Sequence, residues 1–386
     1  MRHFAFLAPD ERKRLFLRAP EPFTIDDAPE RIGVGLGAAL YCPATRPNLA
    51  RDIVKRAAEG VVSIVVCLED SVPDSELAAA EHNAITQLRE LARSGAELPL
   101  IFIRVRNVDQ IPMLVAALGP EIGVLAGFVV PKFNDENGGD YLDAVVAASE
   151  TSNRRILAIP VLETPDISFV ESRVAALLGS RQLIDKYREH VPAVRIGATD
   201  LSGAYGLRRA REFTVWDLRV VADVLCAVVN VFGRVDGSGY VVAGPVWEYF
   251  SATERLFKPQ LRESPFVAHE ERSLRTRLIA ADLDGLIREV VLDRANGLTG
   301  KTVIHPTHVA AVHALSVVAH EEYADACDVA ATNARGGAAA SAFGNKMNES
   351  KPHTAWARRV LLRAEVFGVA REGVSFVDLL GAGLQQ

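Results

Sequence analysis

Cysteine is scarce in this sequence: Cys42, Cys67, Cys226 and Cys327 lie far apart and form no CxxC pair. That spacing excludes a disulfide framework and a cysteine zinc site, and the reducing cytoplasm is the expected compartment. An excess of basic charge is missing too. With 43 Lys and Arg against 49 Asp and Glu, mixed along the chain, the net charge is −6, so nothing favours binding to a nucleic acid. Long apolar runs are absent. The N-terminal MRHFAFLAPDERKRLFLR is broken by charges and reads neither as a signal peptide nor as a membrane span. The histidines show no HxxxH or HxH pairing, which argues against zinc. What remains is a soluble chain whose expected partner is a small molecule.

What the sequence has is apolar bulk in short pieces. Its 386 residues are 49% apolar, more chain than the roughly 250 residues of a plain (β/α)₈ barrel need. Strand-like runs recur at Ala38–Cys42, Ser63–Leu68, Leu100–Val105, Gly127–Val130, Ile156–Leu162, Val194–Ala198, Tyr240–Ala243 and Thr302–Ile304. Helical segments alternate with them, such as NLARDIVKRAAEG after Pro47 and TVWDLRVVADVLCAVVNVFG closed by Gly233. Alternation implies a parallel sheet. Eight units without a GxGxxG turn after the first strand favour a closed α/β barrel of the TIM type over an open dinucleotide-binding sheet. The expected organisation is an N-terminal arm over 1–32, a barrel over 33–320 and an extension over 321–386. That extension holds the Gly/Ala-rich ATNARGGAAASAFG, read as a loop, and a terminal helix in WARRVLLRAEVFGVAREG. Its apolar spacing requires a partner surface, either the active-site mouth or a neighbouring subunit.

In such a barrel the site lies where the strands end. The residues there are Pro43, Arg46, Glu69, Asp70, Arg104, Arg106, Lys132, Glu163, Asp200, Glu248 and His305. Glu163 and Asp200 end successive strands, and two hard carboxylates on one rim suit Mg²⁺. The plainer reading of each is a helix cap or an ion pair. Glu69 and Asp70 follow the apolar run SIVVCL and are expected to orient Arg104 or to take part in proton transfer, or else to form a structural ion-pair network with it. Arg104 offers a planar fork for a carboxylate. Lys132 supplies charge or, in a rival scheme, a Schiff-base nucleophile. His305 is read as a loop-fixing residue or a general acid–base. Arg104, Glu69 and Asp70 form the expected catalytic group, with Arg104, Lys132 and Pro43 facing the substrate.

From Gly37 to His308 the chain resembles the HpcH/HpaI aldolase and citrate lyase superfamily, and within it the citrate lyase β-subunit-like proteins. The resemblance rests on ALYCPATRP, CLEDSVP, IRVRN, VVPKF, VLETP and ATDLSGAYG in order, followed by GLTGKTVIHP. It implies a TIM barrel that cleaves or forms carbon–carbon bonds, with Glu163 and Asp200 holding Mg²⁺ or Mn²⁺. It also implies Arg104 near the substrate carboxylate or oxyanion, with Glu69 and Asp70 behind it. The implied substrate is a small 2-oxo or 3-hydroxy acid or its coenzyme A thioester, and the implied assembly is a homo-oligomer built on trimers. Two departures stand out. Gly37 and Ala38 replace a family Arg-Ser, which removes one expected anion contact, and His308 replaces a Gln. The first departure supports an alternative in which the barrel is a non-catalytic binding or assembly subunit.

Overall fold

The computed structural model describes residues 1–250, 283–332 and 337–384. Eight parallel strands stand in it where the apolar runs fall: β1 (Ala38–Pro43), β2 (Ser63–Cys67), β3 (Leu100–Arg104), β4 (Gly127–Val130), β5 (Leu157–Leu162), β6 (Ala193–Ile196), β7 (Val241–Ala243) and β8 (Lys301–Val303). Each pairs with its neighbour in sequence, β8 pairs with β1, and a parallel bridge from Gly244 to Lys301 closes the ring. Along each strand the side chains alternate between the two faces with period two. Ala39, Tyr41, Val65, Phe102, Val129, Ile159 and Val161 share the interior cluster, while Leu40, Ile64, Val66, Ile103, Phe128 and Val130 meet the helices outside. Burial on both faces is why the strands read as unbroken apolar runs. The helix Leu77–Ser94 shows the complementary pattern: Ala80, Ala84, Leu88 and Leu91 form its buried stripe, and Gly95 ends it at φ 66°. No helix among the described residues is long and apolar enough to cross a membrane.

The arm and the extension meet at the end where the strands begin. The helix Pro29–Gly35 covers that end, and Ile32 and Val34 join the interior cluster. Its approach depends on Gly33, where a Cβ would stand 2.2 Å from the Pro192 carbonyl. The helix Ser350–Phe367 packs on this one and adds Val366 and Phe367 to the same cluster beside Phe23. Phe16–Arg18 then pairs antiparallel with Val369–Ala370. The extension is therefore bound to the floor of the barrel, not to its mouth. The reason is that its apolar face matches the apolar surface of the arm.

The Gly/Ala-rich stretch, read as a loop, is described from Gly337 onward, and there Ala338–Ala340 forms a hairpin with Met347–Glu349. Its anchor is the buried Asp325, which accepts from Ser341 Oγ (2.7 Å) and Asn348 Nδ2 (2.8 Å) and pairs with Lys346 (2.8 Å). The residues before Gly337 lie partly outside the described ones.

Two buried histidines lock the floor. His313 Nε2 accepts the Ala38 N–H at 3.2 Å, and His3 bonds to the Gly35 carbonyl at 2.9 Å, the two rings lying 4.5 Å apart edge to face. Gly37 fits beneath them at φ 54°. Burial pushes the His313 pKa down to about 3 and holds His3 well below its ordinary value. An unfolded histidine titrates near 6.5, so these groups favour the fold above that pH and oppose it increasingly as pH falls toward 3. Urea unfolding is expected to lose about 1.4 kcal/mol per histidine for each pH unit below 6.5. His313→Gln, which keeps an acceptor for Ala38, should flatten that slope. Equal slopes in parent and variant would rule out this role.

Candidate active site

At the opposite end, the last residues of β1 to β6 converge. Arg104 ends β3 and is the hub: its Nη2 lies 2.9 Å from Glu69 Oε2, 2.9 Å from Glu163 Oε1 and 3.5 Å from Asp70 Oδ2. Glu69 Oε2 also accepts the Asp70 N–H at 2.8 Å. Lys132 Nζ pairs with Glu69 and stands 3.5 Å from Asp70 Oδ1. Lys132 is one of few non-glycine residues at positive φ (47°), a conformation with a real backbone cost. That twist aims its N–H at Glu163 Oε1, 3.0 Å away. Pro43 closes β1 at the same rim, half-buried.

Charge on this rim is uneven. Burial drives the Glu163 pKa up to about 7, against the pull of Arg104 and with the help of Asp200. Asp200 follows Gly197 in the short helix Ala198–Gly203, and its carboxylate has no hydrogen bond or ion pair among the described residues. Glu69 and Asp70 are pushed apart. Burial and the neighbouring Asp70 raise Glu69, whereas the burial that would raise Asp70 is outweighed by Glu69, Arg104 and Lys132, which lower it. Burial alone would lower Lys132, but Glu69, Asp70 and Asp200 raise it, so its ammonium stays charged.

The donor set suits a hard divalent cation. No group of three His, Cys, Asp or Glu arranged for a metal occurs among the described residues. A pair of oxygen ligands is nevertheless what Mg²⁺ commonly takes from a protein. A buried carboxylate whose proton affinity an unpaired neighbouring carboxylate helps to raise is the electrostatic counterpart of a cation.

The other rim residues are bound elsewhere. Arg46 pairs with Asp52, and Arg106 ties its loop to Asp74 and to the Leu68 and Glu69 carbonyls. Glu248 accepts from Thr199 Oγ1 at 3.1 Å, bracing the residue beside Asp200. His305 bonds to Thr307 Oγ1 at 2.8 Å and stacks on Phe250, as a loop-fixing residue would. The departure from Arg-Ser lies at the floor: Gly37 precedes β1 and Ala38 begins it, both beside the buried His3 and His313 at the end opposite the rim. Sequence reasoning overlooked Tyr41 and Arg195. Their signal was parity, since each stands two residues before a rim position, Pro43 or Gly197, and so points inward.

The sequence matches the family model described as C–C bond lyase of the TIM-barrel fold over residues 30–369. No protein of curated function matches it. Among solved structures it resembles a citrate lyase of Burkholderia xenovorans (16% identity, TM-score 0.61, covering 87% of this chain and 93% of that one). It also resembles the CitE protein of Mycobacterium tuberculosis, solved with magnesium, acetoacetate and coenzyme A (21%, 0.51, 85% and 97%). A third likeness is to the malate synthase of Haloferax volcanii (12%, 0.51, 76% of each chain). At these identities the likeness is one of fold.

Proposed function

The chain belongs to the C–C bond lyases of the TIM-barrel fold, and from that premise we propose that it is a divalent-metal-dependent lyase. It makes or breaks a carbon–carbon bond in a small 2-oxo or 3-hydroxy acid or its acyl thioester. The observation that carries this reading is the pair Glu163 and Asp200 on adjacent strand ends, with Arg104 bonded to the first. The coenzyme A bound to the Mycobacterium protein keeps its thioesters within the substrate class.

Glu163 and Asp200 would hold the ion, and Mg²⁺ or Mn²⁺ there would supply Lewis-acid polarisation of substrate oxygens. Arg104, fixed between Glu69 and Glu163, presents a guanidinium that neutralises a substrate carboxylate or a developing oxyanion. Glu69 and Asp70, whose proton affinities are driven apart, keep Arg104 and Lys132 in place and provide a proton site at the Glu69 carboxyl. The Lys132 ammonium adds positive charge beside them. Its raised pKa disfavours the Schiff-base route, which needs a neutral amine. Activity on small oxo acids should vanish with a chelator and return with Mg²⁺ or Mn²⁺. Turnover untouched by chelation, or trapping of Lys132 by borohydride with substrate, would overturn the reading.

One variant tests the placement of Glu163 without touching it. A Cβ at Gly197 would stand 1.9 Å from Glu163 Oε2 and 2.5 Å from Glu163 Cβ, so the carboxylate must move. Gly197→Ala is expected to lower turnover on the order of a hundredfold, the scale of a misplaced catalytic group. Wild-type turnover in a folded Gly197→Ala protein would remove Glu163 from the mechanism.

A further inference from the structure

One layer below the rim, the barrel holds a charge that the rim chemistry does not use. Arg195 lies on β6 in register with Val161 of β5 and Ala243 of β7, and is 2% exposed. Its Nη1 donates to Tyr41 Oη at 3.0 Å and to Thr302 Oγ1 at 3.3 Å, and the guanidinium lies 5.3 Å from the centre of the Tyr41 ring. These partners, from β1 and β8, are neutral. Its Nε has no partner.

No carboxylate pairs with Arg195 among the described residues, although other buried arginines have one: Arg173 has Asp223, Arg181 has Asp185 and Arg209 has Glu289. A buried cation without a counter-charge is costly, and the cost falls away when an anion arrives beside it. The location says which anion. Two residues on from Arg195 is Gly197, against which the Glu163 carboxylate rests. Arg104, at the rim, also lies near this tyrosine. The tyrosine therefore contacts the guanidinium beneath the rim and lies near the one at the rim.

We propose that Arg195, with Tyr41 and Thr302, is a second anion anchor at the floor of the active site, and that the substrate is a short oxo or hydroxy acid with two carboxylates. Arg104 takes one acidic end or the reacting oxygens, and Arg195 takes the other end. The inference rests on the metal-dependent lyase reading and adds the substrate class to it.

The test is calorimetry in Mg²⁺ with pyruvate, which has one carboxylate, and oxaloacetate, which has two. The parent should bind oxaloacetate about tenfold or more tighter than pyruvate, the scale of a charge-assisted hydrogen bond. Arg195→Gln should bring the ratio of the two affinities close to unity, Arg195→Lys should restore part of it, and Tyr41→Phe should reduce it. A merely structural Arg195 would weaken both acids alike, so a ratio unchanged in Arg195→Gln overturns the proposal. If that variant fails to fold, Tyr41→Phe decides by the same ratio. A parent that binds both acids equally sinks the second anchor alone. A parent that binds neither acid with Mg²⁺ sinks the lyase reading and this inference together.

Discussion

Glu163→Ala and Asp200→Ala should each weaken Mg²⁺ binding on the order of a hundredfold or more, since loss of an outer partner of a metal ligand alone costs 10–100-fold. Both positions lie on the rim, where side chains add little to a barrel's core, so both variants should fold. They differ in what they leave behind. Glu163→Ala strips Arg104 Nη2 and the Lys132 N–H of an acceptor, whereas Asp200→Ala removes a repelling charge and should bring the Glu163 pKa down from about 7. A metal ligand must be deprotonated. In the parent, the apparent affinity for Mg²⁺ should therefore fall about tenfold per unit as pH drops below about 7, and Asp200→Ala should shift that fall to lower pH. Calorimetry over a pH series reads both effects. Variants that bind Mg²⁺ as tightly as the parent would place the metal elsewhere.

Lys301→Met should cost the fold about 3–5 kcal/mol, the usual result of removing one member of a buried ion pair. Lys301 begins β8 and points outward, with Nζ 2.8 Å from Glu289 Oε1 and 2.6 Å from Asp293 Oδ2 on the helix Leu283–Ala295. Arg209 pairs with Glu289, and Trp216 Nε1 donates to Asp293 at 2.8 Å. Burial already raises Asp293 to about 6 with the lysine present. Without it, the Asp293 carboxyl would favour the proton more strongly in the folded state. A raised carboxyl pKa favours the fold below the unfolded value and opposes it as pH rises. The deficit should therefore be largest near neutral pH and smaller near pH 5 in urea titrations. A deficit independent of pH would show that lost packing, rather than stranded charge, is responsible.

Strand positions were the legible part of this sequence because a barrel strand is buried on both faces and must be apolar throughout; Val65, Phe102 and Ile159 could not be otherwise. Rim residues were legible for the opposite reason. Glu69, Asp70, Arg104, Lys132 and Glu163 each break an apolar run abruptly, and the fold brings these five into contact. What the sequence hid depends on direction. Arg106 shares the parity of Arg104, yet the strand ends at Arg104 and the bend after it turns Arg106 to the outer loops. Lys301 looked like part of a signature near a site and is instead a buried strut. Arg195 sits within VRIG as a single charge whose inward aim only strand register reveals. The place of the extension was also hidden, since apolar spacing in Ser350–Phe367 shows that a helix needs a partner and does not say which end of the barrel supplies it.

The pairing of Phe16–Arg18 with Val369–Ala370, together with the packing of Ser350–Phe367 on Pro29–Gly35, bears on how the molecule is born. On a ribosome the arm emerges about 350 residues before its partner. At ordinary elongation rates that interval is on the order of tens of seconds. Throughout it, Phe23, Ile32 and Val34 wait without the surface that Val366 and Phe367 will bring. Nascent chains of this protein should be captured by hydrophobic-binding chaperones while that surface is missing, and should be released only when the helix Ser350–Phe367 has left the exit tunnel.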